Sequence, residues 1–226
     1  MKMFKQLSIT FLKALAAGAA ISLGGFLYCL MVFAIPNAVV GKLLGSILFS
    51  VGLFLVCSLN LSLYTGKIGL IYEKKQEKIY YISLPIILIG NLVAALGVGL
   101  LLHLILKDTD FMTVANSVAS SRLSLDNFDS YLLLCLNSFL CGLCVYLAVK
   151  LFALNRMKPL GIFMLVFFVF LFVFSGFQHC IANMFYFGLA KSFQIEMLFN
   201  LLLCILFNSF GPIVGVMMFR LMEKKK

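Results

Sequence analysis

Charge is scarce in this sequence: only 12% of its 226 residues are Asp, Glu, Lys or Arg, and just 8 are acidic. With 63% hydrophobic residues and 24 Phe, that scarcity excludes an ordinary soluble domain. Histidine is scarcer still. The two present, His103 and His179, fall in separate apolar runs and give no ligand cluster, so neither a metal nor a cofactor is expected. A small-residue cleavage site is also missing after the first apolar run, which reads as a transmembrane helix rather than a signal peptide. Hardly any chain is left for an extramembrane or basic domain. The net charge of +10 therefore does not point to nucleic acid, because its residues sit in short loops.

Long apolar runs are what the chain does have, near 14–35, 43–59, 80–106, 131–149, 159–190 and 197–219. Each is long enough to cross about 30 Å of hydrocarbon. The expectation is one transmembrane domain over 1–226, with a cytoplasmic segment 1–13 and a tail 223–226, embedded in the lipid bilayer. If the N-terminus is cytoplasmic, the opposite side holds only Lys42, Lys107, Arg122 and Lys191 of the 18 basic residues. That asymmetry predicts a multi-pass protein of the inner (plasma) membrane with both termini inside. The seven cysteines all lie in the spans, where they read as small apolar residues, and Cys141-x-x-Cys144 lacks a second ligand pair. Pro36-Asn37 and Arg156 to Pro159 read as turns between spans.

Two of the runs are interrupted. The second is broken over Asn60–Lys67, and the fifth over Ser175-Gly176-Phe177-Gln178-His179-Cys180-Ile181-Ala182-Asn183. Each is the middle member of a set of three, and the two sets cross in opposite senses. Paired breaks of this kind point to an inverted-repeat transporter or channel with its site near the midplane, where the breaks meet. His179 is the titratable group at that depth, and such groups are normally kept for a substrate site, a pore or a proton path. Asn91, Asn208 and the glycines beside them read as helix-packing residues, because small residues permit close approach and Asn bonds across helices. His103, near Lys107 and Asp108, reads as interfacial.

Ser175-Gly176-Phe177-Gln178-His179 followed by Ile181-Ala182-Asn183-Met184-Phe185 resembles the signature of the formate/nitrite transporter family. Leu63-Tyr64-Thr65, Gly90-Asn91-Leu92 and Ala17-Gly18 resemble its elements in the second, third and first helices. The resemblance implies an all-α, aquaporin-like fold of six transmembrane helices in two inverted three-helix repeats, assembled as a homopentamer. It implies passage of a small monovalent anion (formate, nitrite or hydrosulfide) or its conjugate acid, and no enzymatic activity. It also implies the site residues: His179 at the centre, Thr65 beside it, Leu63 and Phe49 at one constriction and Phe172 at the other, and Asn183 tying down the break. Four departures stand out. Gln178 replaces the acid before the histidine, Gly142 the asparagine after Cys141, Pro212 a sixth-helix asparagine, and Asp126 an outer lysine for which Arg122 or Lys107 could substitute.

Mechanistically, an imidazole with an ordinary pKa of about 6.5 changes its charge with modest changes of surroundings. An apolar collar resists a bare ion far more than a neutral acid, so sharing a proton at His179 would ease passage. Two other classes compete. An aquaporin-like pore for neutral solutes would use a similar repeat, but neither break carries an Asn-Pro-Ala triplet. An intramembrane enzyme would need His179 within hydrogen-bond reach of Cys180 or Cys141.

Overall fold

A computed structural model describes residues 2–73 and 75–223; Met1, Lys74 and the tail 224–226, three of whose lysines enter the topology count, lie outside the described residues. Those residues are helical almost throughout. The segments are α1 (Lys2–Ala34), α2 (Ala38–Ser58), α3 (Tyr64–Ile68), α4 (Leu70–Glu73), α5 (Lys78–Leu106), α6 (Phe111–Leu123), α7 (Phe128–Leu154), α8 (Pro159–Phe174), α9 (Cys180–Ala190) and α10 (Ile195–Glu223). Five of them, α1, α2, α5, α7 and α10, are long and apolar enough to cross a membrane, while α8 and α9 are shorter apolar helices. Residues 2–13, expected as a separate segment, simply extend α1, whose 33 residues reach about 50 Å.

The helix starts follow local chemistry. Asn37 caps α2, its side-chain oxygen accepting the N–H groups of Val39 and Val40, both at 3.1 Å. Asn127 and Ser130 form a reciprocal capping box on α7, and Pro159 opens α8 where its missing N–H is not needed. The polar stretch 107–129 between the third and fourth apolar runs contains α6, which buries Phe111, Met112, Ala115, Ala119 and Leu123. That near-fourfold apolar spacing is a helix signal, diluted in the sequence by the surrounding Ser and Asp.

The two breaks are built alike. At the end of α2, Asn60 adopts φ 52°, and the Leu61 N–H returns to the Val56 carbonyl at 2.9 Å. At the end of α8, Gly176 adopts φ 76°, and the Phe177 N–H returns to Phe172 at 2.9 Å. Both are Schellman closures, which turn the chain out of the helix while satisfying its last carbonyls. Helix resumes at Tyr64 and at Cys180, so the breaks are shorter than the polar composition suggested.

What restarts each helix is an asparagine from a neighbouring long helix. Asn91 of α5 accepts the Tyr64 N–H at 2.8 Å and donates to the carbonyls of Ala14 and Ser62 at 2.7 and 2.9 Å. Asn208 of α10 accepts the Cys180 N–H at 3.0 Å and donates to Ser138 and Gln178 at 2.7 and 2.9 Å. Both asparagines are 0% exposed, so two backbone groups at each break, and a carbonyl of the unbroken helix beside it, find in one side chain the partners that water cannot supply. A glycine makes each approach possible. A Cβ on Gly18 would strike the Asn91 carbonyl, and one on Gly142 the Asn208 carbonyl.

Around these clamps α1 packs on α2 and α5, and α7 on α8 and α10. The halves are tied where α9 lies on α5, α3 on α10, and α2 on α8. The main core runs through the middle, from Ala17 and Ile21 through Leu53, Val145 and Val169 to Phe185.

Candidate functional site

The breaks meet at a single polar contact, Thr65 Oγ1 to His179 Nε2 at 2.9 Å. Thr65 is 0% and His179 2% exposed, so the pair is sealed within the core. His179 is also the residue before α9, and its Nδ1 accepts the Ala182 N–H at 3.2 Å. A nitrogen that accepts carries no proton. The neutral ring therefore holds its hydrogen on Nε2 and donates it to Thr65 Oγ1, which leaves the Thr65 hydroxyl hydrogen free to donate elsewhere. Doubly protonated, the ring could not keep the Ala182 bond.

The aromatic rings of Phe49 and Phe172 stand edge to face at 5.7 Å, and Phe172 stacks on His179 at 6.1 Å. Both Phe and His179 border a cavity of about 480 Å³ that opens toward α6. Leu63 borders a second cavity of about 290 Å³ on the other side. Phe49 thus lines the first cavity with Phe172, whereas Leu63 lines the second. Thr65 and His179 lie between an aromatic pair and a leucine.

The first cavity contains two cations, Arg122 and Lys42, and no carboxylate among its lining residues. Arg122 donates from Nε to Asn183 Oδ1 at 3.0 Å and lies over the Tyr186 ring at 4.4 Å. Asn183 passes the polarity on, donating to Gln178 Oε1 at 2.8 Å and Asn200 Oδ1 at 2.9 Å, while Asn200 donates back to the Arg122 carbonyl at 2.9 Å. The second cavity holds Lys67, Lys150 and Arg156 against one acid, Glu73. Glu73 accepts from Lys150 Nζ at 2.8 Å and from the Tyr146 hydroxyl at 2.9 Å, and Arg220 straps the backbone of Tyr72 and Glu73.

Residues 1–222 match the family described as formate/nitrite transporter. The chain belongs to the formate/nitrite transporter family. Two solved structures share the fold. One, a pentameric formate channel with formate bound, has a TM-score of 0.81 at 24% identity, covering 98% of this chain and 99% of that one. The other, an FNT family ion channel, has a TM-score of 0.78 at 23% identity, covering 91% and 86%. No curated protein matches. Together with its apolar helices, the family makes this a multi-pass membrane protein of transporter and channel type.

One departure from the family pattern has a structural reason. The sixth long apolar run carries a buried asparagine, Asn208, one turn before Pro212. Gly142 lies too close to the Asn208 backbone to carry any side chain without a shift. Of the two cations suggested for the missing outer lysine, Arg122 lines the cavity, whereas Lys107 lies at the exposed end of α5. His103 donates from Nδ1 to the Leu189 carbonyl at 2.9 Å and holds α9 to α5. Both nitrogens of His179 are engaged with Thr65 and Ala182, leaving no hydrogen bond from it to Cys180 or Cys141 among the described residues. The clamping duty of Asn91 and Asn208, and the Arg122–Asn183–Asn200 chain, are not legible from spacing. Their partners lie dozens of residues away.

Proposed function

We propose that this chain is a channel for a small monovalent anion (formate, nitrite or hydrosulfide) or its conjugate acid, assembled as a homopentamer with a conduction route in each protomer. The observation that carries the reading is the Thr65–His179 bond at the junction of two broken helices, between two cavities. The matching pairs of closures and clamps favour six membrane crossings arranged as two inverted three-helix repeats. The lysine and arginine asymmetry favours both termini on the cytoplasmic side of the plasma membrane.

On this reading an anion collects in the cavity with Arg122 and Lys42, whose uncompensated charge raises its local concentration. It passes between Phe49 and Phe172 and meets the Thr65 hydroxyl, which is free to donate because His179 Nε2–H supplies the bond to Oγ1. Delivering that same hydrogen onward would leave an imidazolate, so the proton that neutralises the anion is a hydronium proton of the external medium, taken up in the first cavity and carried across with the anion as the neutral acid. His179 polarises Thr65 and fixes its direction. The neutral acid then crosses the apolar ring at Leu63 and loses its proton in the second cavity, beside Lys67 and Arg156. Since protons favour the neutral species, flux rises as pH falls.

The test is uptake of labelled formate, nitrite and hydrosulfide into proteoliposomes across pH, with His179→Asn and Thr65→Val in parallel. Asn can still cap α9, so the fold is kept. Thr65→Val loses the hydrogen bond to the anion and is expected to cut flux by about tenfold or more, and His179→Asn, which loses the bond that directs that hydroxyl, is expected to cut it several-fold. Unchanged anion flux in both variants would remove the histidine mechanism and leave the channel. Glycerol or water flux with no anion flux would replace the channel by a neutral-solute pore.

A further inference from the structure

Where the first turns of α1 pass α3, a cavity of about 460 Å³ lies beside the second vestibule. Its charged lining residues are Lys5, Lys13 and Lys67, joined by the Thr10 hydroxyl, and no carboxylate lines it. None of the three ammonium groups forms an ion pair among the described residues; the single salt bridge there is Lys150–Glu73. A neighbouring cavity of about 480 Å³ shares Thr10 and Lys67 and adds Lys75, with Glu77 as its acid. Cations that face one concavity without a counter-charge repel one another, and an arriving anion relieves that repulsion.

The same helix identifies the source of the anion. Met3, Phe4, Ile9 and Leu12 are 57, 76, 47 and 64% exposed, so apolar side chains alternate with Lys5 and Lys13 along one segment of α1. Lysine beside exposed apolar side chains is the pattern of a helix lying at the headgroup level, and basic pockets between membrane helices on the cytoplasmic side take anionic headgroups. We propose that this cavity binds the phosphate of an anionic phospholipid, with Lys5, Lys13 and Lys67 as its counter-charges. The inference rests on the membrane orientation given above and not on the route of the transported anion. The site also touches the α2–α3 break. Ser62 donates its N–H to the Lys13 carbonyl at 3.3 Å and gives its own carbonyl to Asn91 at 2.9 Å, while Lys67 borders the second vestibule as well.

Native mass spectrometry of the full-length assembly, titrated separately with phosphatidylglycerol, phosphatidylcholine and inorganic phosphate, tests this. The wild type is expected to hold phosphatidylglycerol in preference to phosphatidylcholine. Lys5→Gln/Lys13→Gln should weaken phosphatidylglycerol by roughly fivefold for each lysine removed, about 1 kcal/mol apiece, while Lys107→Gln at the far end of α5 should not. Both lysines are exposed, so the fold does not depend on them, and Lys5→Gln alone should give the single step if the double variant fails to assemble. Equal binding of the two lipids by the wild type, or unchanged phosphatidylglycerol affinity in the variants, would overturn the proposal. Inorganic phosphate displacing the lipid at matching concentration would overturn it too, by assigning the cavity to a free anion. Lipid binding is read from mass alone, so failure of the transport reading would show separately, as absent uptake.

Discussion

His179 holds two helices at once. Through Nδ1 it caps the helix that follows it, and through Nε2 it reaches Thr65 on the other broken helix. Arg122 has a comparable double duty, orienting Asn183 through Nε while lying over Tyr186 in a cavity lined by no acid. Gln178 matters here. Where a carboxylate would neutralise the guanidinium by way of Asn183, the neutral amide leaves the positive charge for the anion. Arg122→Gln is therefore expected to lower anion uptake several-fold at low ionic strength. The difference from wild type should shrink as salt rises and screens the cavity. Initial rates measured across a salt series would check both points, and a salt-independent defect would mean that Arg122 acts only through Asn183.

At the scale of elements, a broken helix in an apolar environment stands or falls on its backbone groups. Asn91 and Asn208 each satisfy two of them and tie the break to a carbonyl of α1 or α7, and Gly18 and Gly142 let the clamping helices close in. Asn208→Ala would leave the Cys180 N–H and the carbonyls of Ser138 and Gln178 without that partner. A loss of about 1–3 kcal/mol is expected, the cost of the buried Cys180 N–H left unsatisfied, since the Gln178 carbonyl keeps the Cys204 thiol and the Ser138 carbonyl its place in α7. Thermal unfolding of the detergent-solubilised protein measures it, and Asn91→Ala should behave alike at the other break. The apolar pattern made the long helices readable in the sequence, and the motif around His179 located a break. The closure geometry was not readable, because a positive φ at Asn60 or Gly176 is fixed by what the following residues must reach.

For the whole molecule, five long apolar helices and two shorter ones enclose two cavities separated by Phe49, Phe172, Thr65, His179 and Leu63. Many large apolar side chains remain exposed on the single chain, among them Leu104, Phe128, Phe163 and Leu202. Lipid or neighbouring protomers must cover them. In mild detergent the purified protein is expected to run at five times the chain mass by light scattering, and a monomer active in vesicles would refute the pentamer. Protease added outside cells should spare tags at both termini; cleavage of both would invert the topology, and cleavage of one would overturn the six crossings.

Composition alone placed the chain in a membrane. With so few charges and such long apolar runs, no other solvent can hold it. The motif from Ser175 to Asn183 named the histidine, because a titratable group in an apolar span is too costly to be incidental. Only the tertiary structure decided how that histidine meets Thr65. Thr65 lies 114 positions away, and the direction of the proton on the imidazole follows from the Ala182 N–H that occupies Nδ1. It likewise set Asn208 on the Cys180 N–H, and brought Arg122, on a helix within the polar stretch 107–129, into the cavity above the site. Periodicity reports which solvent a face meets. Which side chains meet one another depends on packing across the chain, and local sequence does not carry that.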